Sequence, residues 1–329
     1  MLPTKLIFIL RFERLERRVH MLKYITKRFF WALITVWSIV TITFIIMHSI
    51  PGDPFAREGT MPEAVYQNLR HHYNLDKPLI IQYFIYLAQV VQFDFGPSLK
   101  SSTLTVNDYI EKGFPVSFHL GIQALVLAIT MGLILGVIAS LNRNKWQDYL
   151  SMVFAIIGIS VPSFILASFL INFLSVEWRM FPVATWQSWK HTVLPTVSLA
   201  MLPMAYIARL MRSSMLEVLN QDYMLTAKSK GLNKGFIIVK YAIRNAILPI
   251  VTVLGILATN LITGSFIVES IFGIPGIGEL FVKGIFNRDY PVILGTTIFY
   301  STILIFLILI VDIAYTWIDP RIKLTGESK

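Results

Sequence analysis

Six stretches of this 329-residue chain are apolar for about the length that crosses a bilayer. They run over roughly 29–50, 116–141, 149–176, 192–211, 245–268 and 291–318. A membrane helix needs roughly 20 such residues, so the expected fold is all-α, with six membrane helices. The fourth stretch is the weakest, being short and holding Pro195 and Pro203. Proline is tolerated in a membrane helix where neighbours re-satisfy the freed carbonyl, so this span is retained and expected to be kinked. Composition agrees with a polytopic membrane chain: 55% of residues are hydrophobic and 15% charged, where a soluble domain carries about one quarter charged.

The formal net charge of +10 raises nucleic acid as a partner, but the basic residues sit between the spans, so the expected surface is a lipid bilayer and no nucleic acid. With no cysteine there is no disulfide framework and no thiolate metal site. Residues 1–28 form an N-terminal segment. Within it, residues 1–20 carry an apolar run too short for a signal-peptide core, followed by Arg11, Arg14, Arg17 and Arg18. This stretch is expected to be an upstream translation start or a disordered extension, with Met21 as an alternative start.

Lys and Arg counts orient the spans. With the N-terminus in the cytoplasm, the inside segments 1–28, 142–148, 209–244 and 319–329 hold 20 of the 29 basic residues. The outside segments hold 9. Both termini are therefore expected to be cytoplasmic. The first outside loop, 51–115, is long enough for a helical cap: Pro62 to Arg70 and Ile80 to Val91 have helical apolar spacing, with Leu79, Ile80, Phe84, Leu87, Ala88 and Val91 on one face. This cap either covers the bundle passively or offers a docking surface to another protein. In the outside loop 269–290, four glycines and a proline imply a tight turn before a short helix over Glu279–Phe286.

No P-loop, H-E-x-x-H or G-x-S-x-G pattern occurs, so no catalytic residue is expected and ATP is not bound through a P-loop of this chain. His71 and His72 are adjacent, which points them in different directions on a helix; a solvated loop is favoured over a metal site. Polar residues inside spans are costly against lipid. Gln123, Asn172, Asn260 and Thr263 are therefore expected to face protein or a cavity, as interhelical hydrogen bonds or along a translocation path; Asn260 and Thr263 share one face. Asp312 is read as interfacial, near Arg209 or Arg321. Gly132 and Gly136 form G-x-x-x-G, which permits close helix packing within the chain or against a partner.

One polar interruption stands apart, D-Y-M-L-T-A-K-S-K-G-L-N-K-G-F-I-I-V-K-Y-A-I-R-N-A-I-L-P over Asp222–Pro249. Asp222 is an N-cap type, Gly231 suits a left-handed C′ position, and Lys228 and Lys230 complement the dipole between them. A short capped helix over Tyr223–Lys230 follows. Tyr223, Thr226, Ala227 and Lys230 share a face, where small Ala227 would let another protein approach closely.

This stretch resembles the EAA loop of ABC importer permeases. Leu225, Thr226 and Ala227 stand for E-A-A, and Gly231 matches in spacing. Tyr241 takes the Ile position, and Ile243-Arg244 replaces Leu-Pro. The D-Y-x-x-T-A-x-x-K-G-L and R-N-A-x-L-P patterns, with I-P-G-D-P-F and Y-N-L-D-K-P-L-I-I-Q-Y in the first loop, resemble the oligopeptide, dipeptide and nickel permease branch over about Met21–Lys323. The resemblance implies a type I importer core over 116–318, with a coupling loop over 212–245. Asp222, Tyr223, Thr226, Ala227, Lys230 and Gly231 would then contact an ATPase. It also implies a bacterial cytoplasmic-membrane assembly with a second homologous permease subunit, two ATPase subunits that bind ATP and Mg, and an extracellular substrate-binding protein. The cargo would be oligopeptides or dipeptides; a nickel or metal-chelate importer of the same superfamily, or an ATP-independent secondary transporter or channel, are the alternatives.

Overall fold

The computed structural model describes residues 4–49, 63–72, 74–101, 103–262 and 264–318. The described residues are helical and hold no strand, only an isolated bridge between Pro97 and Thr105. The chain divides into two compact units, residues 1–50 with 298–329, and residues 51–297.

The first unit contains α1 (Thr4–Ser49) and most of α14 (Tyr290–Ile318). α1 is helical from Thr4, where a disordered extension was one of the two expectations for residues 1–20. From Ile25 to Ser49 it is apolar enough to cross a membrane. Val40, Phe44 and Met47 form its buried stripe, while Phe30, Trp31, Trp37 and Ile45 point outward. An apolar helix with so narrow a buried face suits a lipid surround, because lipid tails are as apolar as its side chains.

The second unit is built on α4 (Val106–Leu141), 36 residues long. From Gly113 onward its buried positions recur about every four residues and, apart from Leu120, are small: Gly113, Ser117, Gly121, Ala124, Ala128, Gly132, Gly136 and Ala139. On a helix, such spacing makes one face, and a face without bulk lets backbones touch. Neighbours use its whole length. α13 (Ile277–Asn287) meets Gly113 and α11 (Leu248–Ile262) meets Gly121. α7 (Trp189–Leu219) meets Gly132 and Gly136, where an added Cβ would sit 2.8 Å from Ile207 Cβ and 2.6 Å from Met211 Cβ. The G-x-x-x-G pair thus packs within the chain.

Two spans, the third and the fifth, depart from expectation. The third span is not one rod: α5 (Trp146–Ser160) and α6 (Ser163–Leu170) are bent by 107°. Pro162 is the cause, since proline forces the preceding residue out of the helical region, and Val161 sits at φ −93°, ψ 117°. A π-helical segment, Ile171–Glu177, continues α6. The fourth span is continuous through Pro195 and Pro203, both buried as α7 packs against α4, α5 and α6. The fifth span starts early, with α9 (Lys234–Ile237), a π-helical turn Ile238–Ile243 and α10 (Arg244–Ala246), then bends by 51° into α11. It stops at Ile262, so Val268 belongs to a separate short helix, α12 (Phe266–Phe272). Among the described residues, four helices are long and apolar enough to cross a membrane, or up to six if each bent pair is one span.

The first long loop holds α2 (Glu63–His72) and α3 (Leu79–Val91), matching the two expected helices within about two residues. The apolar face of α3 does not turn inward as a packed cap face would. Ile80, Phe84 and Val91 are exposed and Tyr86 is the buried residue.

Candidate functional site

α8 (Asp222–Ser229) is the short helix read from the polar interruption. Asp222 opens its first turn rather than capping it: Gln221 holds the N-cap position, with no side-chain cap bond. Gly231 has φ +71°, the left-handed geometry that ends a helix at little cost only for glycine. The helix exposes Asp222, Tyr223, Leu225, Thr226, Lys228 and Lys230. Met224 and Ala227, three residues apart, face the chain's own core. Ala227 is therefore small for packing inside this chain, and the outward surface is Tyr223, Leu225, Thr226 and the two lysines.

One side-chain contact ties this helix to its return, and a second pair braces α7, the helix that precedes it. The Asn245 amide donates to the Tyr223 hydroxyl at 3.3 Å and to the Tyr241 carbonyl at 2.9 Å, bridging α8 to the π-helical return. Arg212, two turns before the end of α7, donates from Nε and Nη2 to both Asp148 oxygens at 2.5 and 2.7 Å. Asp148 also accepts the Asn144 amide and is 2% exposed. A two-pronged arginine–carboxylate pair fixes direction as well as distance, and here it ties the last turns of α7 to the start of α5. Sequence reading passed over this pair. Its signal was a lone acid in the 142–148 turn and a lone arginine just beyond the fourth span.

The polar residues expected within spans separate into different roles. Gln123 bridges helices: its amide donates to His119 Nε2 at 2.8 Å and its Oε1 accepts the Thr196 hydroxyl of α7 at 3.1 Å. Trp186 stands edge-on to His119 at 6.0 Å. Asn172 is exposed and donates to Glu177 at 3.2 Å, so it is not held between helices of this chain. Asn260 lines a cavity of about 530 Å³ with Ser163, Leu199, Tyr206, Leu257 and Ser265 among its walls. Thr263 lies outside the described residues, as do the side chains of His72 and Asp312 and all of Arg321. Among the described residues no three His, Cys, Asp or Glu side chains come together as a metal site would need.

The cavity forms where two helices break, at Val161–Pro162 and at Gly264, which has φ +95°. No charged side chain lines it. Beside it, Glu269 is fully buried, and its carboxylate gathers three elements. It accepts the Ser265 amide at 3.2 Å and the Gly278 amide at 2.8 Å, and is bonded by the Ser117 hydroxyl of α4. Ser117 in turn accepts the Ile277 amide at 3.0 Å. A buried carboxylate persists only when its lone pairs are used; here it ties α4, α12 and the turn before α13 together. That turn follows Gly273, left-handed at φ +56°, and α13 begins two residues before the expected Glu279. Sequence reading treated this acid as one more loop residue.

A long-range tie also closes the end of the bundle where α4 begins. Asp289, 3% exposed, accepts the Ser98 hydroxyl and the Leu99 amide, the latter at 3.1 Å. It holds the 94–105 loop against the start of α14.

Comparison with known proteins gives the same architecture a lineage. Residues 128–324 match the family described as the binding-protein-dependent transport system inner membrane component, and residues 21–104 match its N-terminal companion. The dipeptide transport system permease protein DppB of Bacillus subtilis is 55% identical over 304 residues, covering 92% of this chain and 99% of that protein. The oligopeptide transport system permease protein OppB of Haemophilus influenzae is 43% identical over 305 residues, covering 92% of this chain and all of that protein. Among solved structures, a chain of the inward-facing MetNI methionine ABC transporter is similar with a TM-score of 0.52, covering 64% of this chain and 94% of that one. At 18% identity that likeness speaks for the fold alone, a type I importer permease core. The chain is a multi-pass membrane protein and belongs to the family of inner membrane components of binding-protein-dependent transport systems.

Proposed function

We propose that this chain is the permease subunit of an ATP-binding cassette importer that carries dipeptides or oligopeptides, energised by separate ATPase subunits. The observation that carries the reading is α8. It is a short helix with an exposed outer face, tied to its return through Tyr223–Asn245 and preceded by α7, which the Arg212–Asp148 pair braces on α5. A rigid body moving against that face would move α7 and α5 with it. The family and the names of its relatives support a peptide cargo.

In this reading both termini and α8 lie in the cytoplasm, as the asymmetry of basic residues implies. ATP and Mg are bound by two ATPase subunits, a second homologous permease completes the membrane part, and an extracellular binding protein delivers cargo. Tyr223, Leu225, Thr226, Lys228 and Lys230 form the docking face, while Asp222 and Gly231 set its ends. The cavity beside Asn260 belongs to the cargo route. Backbone interrupted at membrane depth is tolerated where it is buried in protein or lines a water-filled cavity, and both helix breaks border this one. Its uncharged wall suits peptides of varied sequence, gripped by their backbone.

Alternating access follows from two states of the bundle that each ligand favours differently. ATP closing the ATPases shifts α8, and its hydrolysis lets it return. The test is uptake of a radiolabelled dipeptide into vesicles holding the permease pair, both ATPases and the binding protein. Uptake that requires ATP and is blocked by competing peptides is expected. Uptake of nickel instead, or of peptide without ATPases, would overturn the reading.

A further inference from the structure

Helix α3 is built the wrong way round for a water-exposed cap. At 100° per residue, Ile80, Ile81, Phe84, Ala88 and Val91 fall within an arc of about 100°, and all five are exposed. Ile80 is 67%, Phe84 61% and Val91 73% exposed. The opposite arc carries Gln82, Tyr83, Tyr86, Gln89 and Val90, all buried or half-buried, with exposed Leu79 at the helix start as its one exception. The more polar side of the helix thus turns in and the wholly apolar side turns out. Against water, a half rotation about the helix axis would lower the free energy, since apolar area gains roughly 25 cal/mol per Å² on leaving water.

From this we infer that α3 lies in the outer leaflet of the bilayer, parallel to the surface, with Ile80, Phe84 and Val91 among the acyl chains. Three observations select lipid over a protein partner. The 13 residues Leu79–Val91 contain no charge, and the outward face offers no hydrogen-bonding side chain; protein interfaces average about one hydrogen bond per 100–200 Å². Charged, exposed residues bracket the helix, Asp76 and Lys77 before it and Asp94 after it, where headgroups would meet them. Its depth is also fixed. Phe95 and Val106 pack on Gly295, five residues into a membrane-crossing helix and so about 8 Å along its axis. Asn107 holds the intervening chain, donating to the Phe93 carbonyl at 2.6 Å and accepting the Phe95 amide at 3.0 Å. The chain leaving α3 is thus anchored, at Phe95, beside the second turn of a membrane-crossing helix.

The test uses the absence of native cysteine. Single cysteines at Ile80, Phe84, Val91 and, as a water reference, Lys77 are nitroxide-labelled in the assembled complex, in nanodiscs of phosphatidylethanolamine and phosphatidylglycerol. Collision rates with oxygen, which concentrates in lipid, and with a nickel chelate, which stays in water, are read at each site. The oxygen-to-nickel ratio is expected to be several-fold higher at Phe84 and Val91 than at Lys77. A ratio at Phe84 equal to that at Lys77 would overturn the inference and leave a water-facing surface. Exclusion of both probes in the complex, but not in the chain alone, would overturn it in favour of a protein partner. Ile80 repeats the reading should the Phe84 variant fold poorly.

Discussion

Adding one methyl group at Gly136 should weaken the bundle, although the same change strengthens an ordinary helix. Glycine inside a helix costs about 1 kcal/mol relative to alanine, so Gly→Ala is stabilising where there is room. At Gly136 there is none: the new Cβ would lie 2.6 Å from Met211 Cβ, 2.7 Å from the Ala208 carbonyl oxygen and 3.0 Å from Met211 Cγ. Carbon atoms rest about 3.5–4.0 Å apart, so α4 and α7 must part by about 1 Å. A side chain can rotate away; the Ala208 carbonyl is backbone and cannot. Overpacking of this kind costs about 1–3 kcal/mol, which outweighs the propensity gain. The comparison is Gly235→Ala in α9, where the only close neighbour is the end of the Asn233 side chain at 3.3 Å. The net loss, up to about 2 kcal/mol after the propensity gain, should place Gly136→Ala up to roughly 4 °C below wild type in thermal unfolding of the detergent-solubilised protein, followed by tryptophan fluorescence. Gly235→Ala should be unchanged or higher. If Gly136→Ala melts at or above Gly235→Ala, the intramolecular role of the G-x-x-x-G pair is refuted.

Other perturbations follow from the same geometry. Arg212→Ala leaves Asp148 buried without its main partner; because Arg212 is partly exposed, the loss should be below the roughly 3–5 kcal/mol of a fully buried pair, and it should lower ATP-dependent transport more than membrane insertion, measured by uptake against protein level. Glu269→Ala strands the buried Gly278 amide and Ser117 hydroxyl, at about 1–3 kcal/mol each, and the half-buried Ser265 amide, so the variant should lose detergent stability well beyond Gly136→Ala in the same melting assay. Gly231→Val meets no neighbour within 4 Å but must hold φ +71°, so its effect should be confined to α8: transport lost, melting temperature nearly unchanged. Leu225→Asp, on the outer face of α8, should likewise spare folding and insertion while weakening ATPase capture in pull-down.

The physical limits of sequence reading are visible in single residues. Gly231 was legible because a left-handed residue after a helix leaves almost no alternative to glycine. Gly132 and Gly136 were legible as a close contact, but not as one with α7, because small residues state a distance and not a neighbour. Pro162 and Pro203 look alike in sequence; the first breaks a helix by 107° while the second lies inside a continuous one. Packing on three neighbours distinguishes them, and packing is not local. For α3 the spacing identified the right face and gave no direction, since lipid and protein interior are both apolar. Asp148 and Glu269 went unnoticed because their partners are 64 residues away at Arg212 and 152 residues away at Ser117, a separation that only the fold closes.

The most direct test of the account is a contact between α8 and an ATPase. Leu225→Cys would be the only cysteine in this chain, so a short thiol-to-amine cross-linker in the assembled transporter reports from one point of that face. Cross-linking to a nucleotide-binding subunit is expected, with a yield that changes between the ATP-bound and nucleotide-free states, while Ala227→Cys, on the buried face, stays unreacted. A Leu225→Cys variant that supports ATP-driven uptake yet never cross-links to an ATPase would contradict the assignment of α8 as the coupling element.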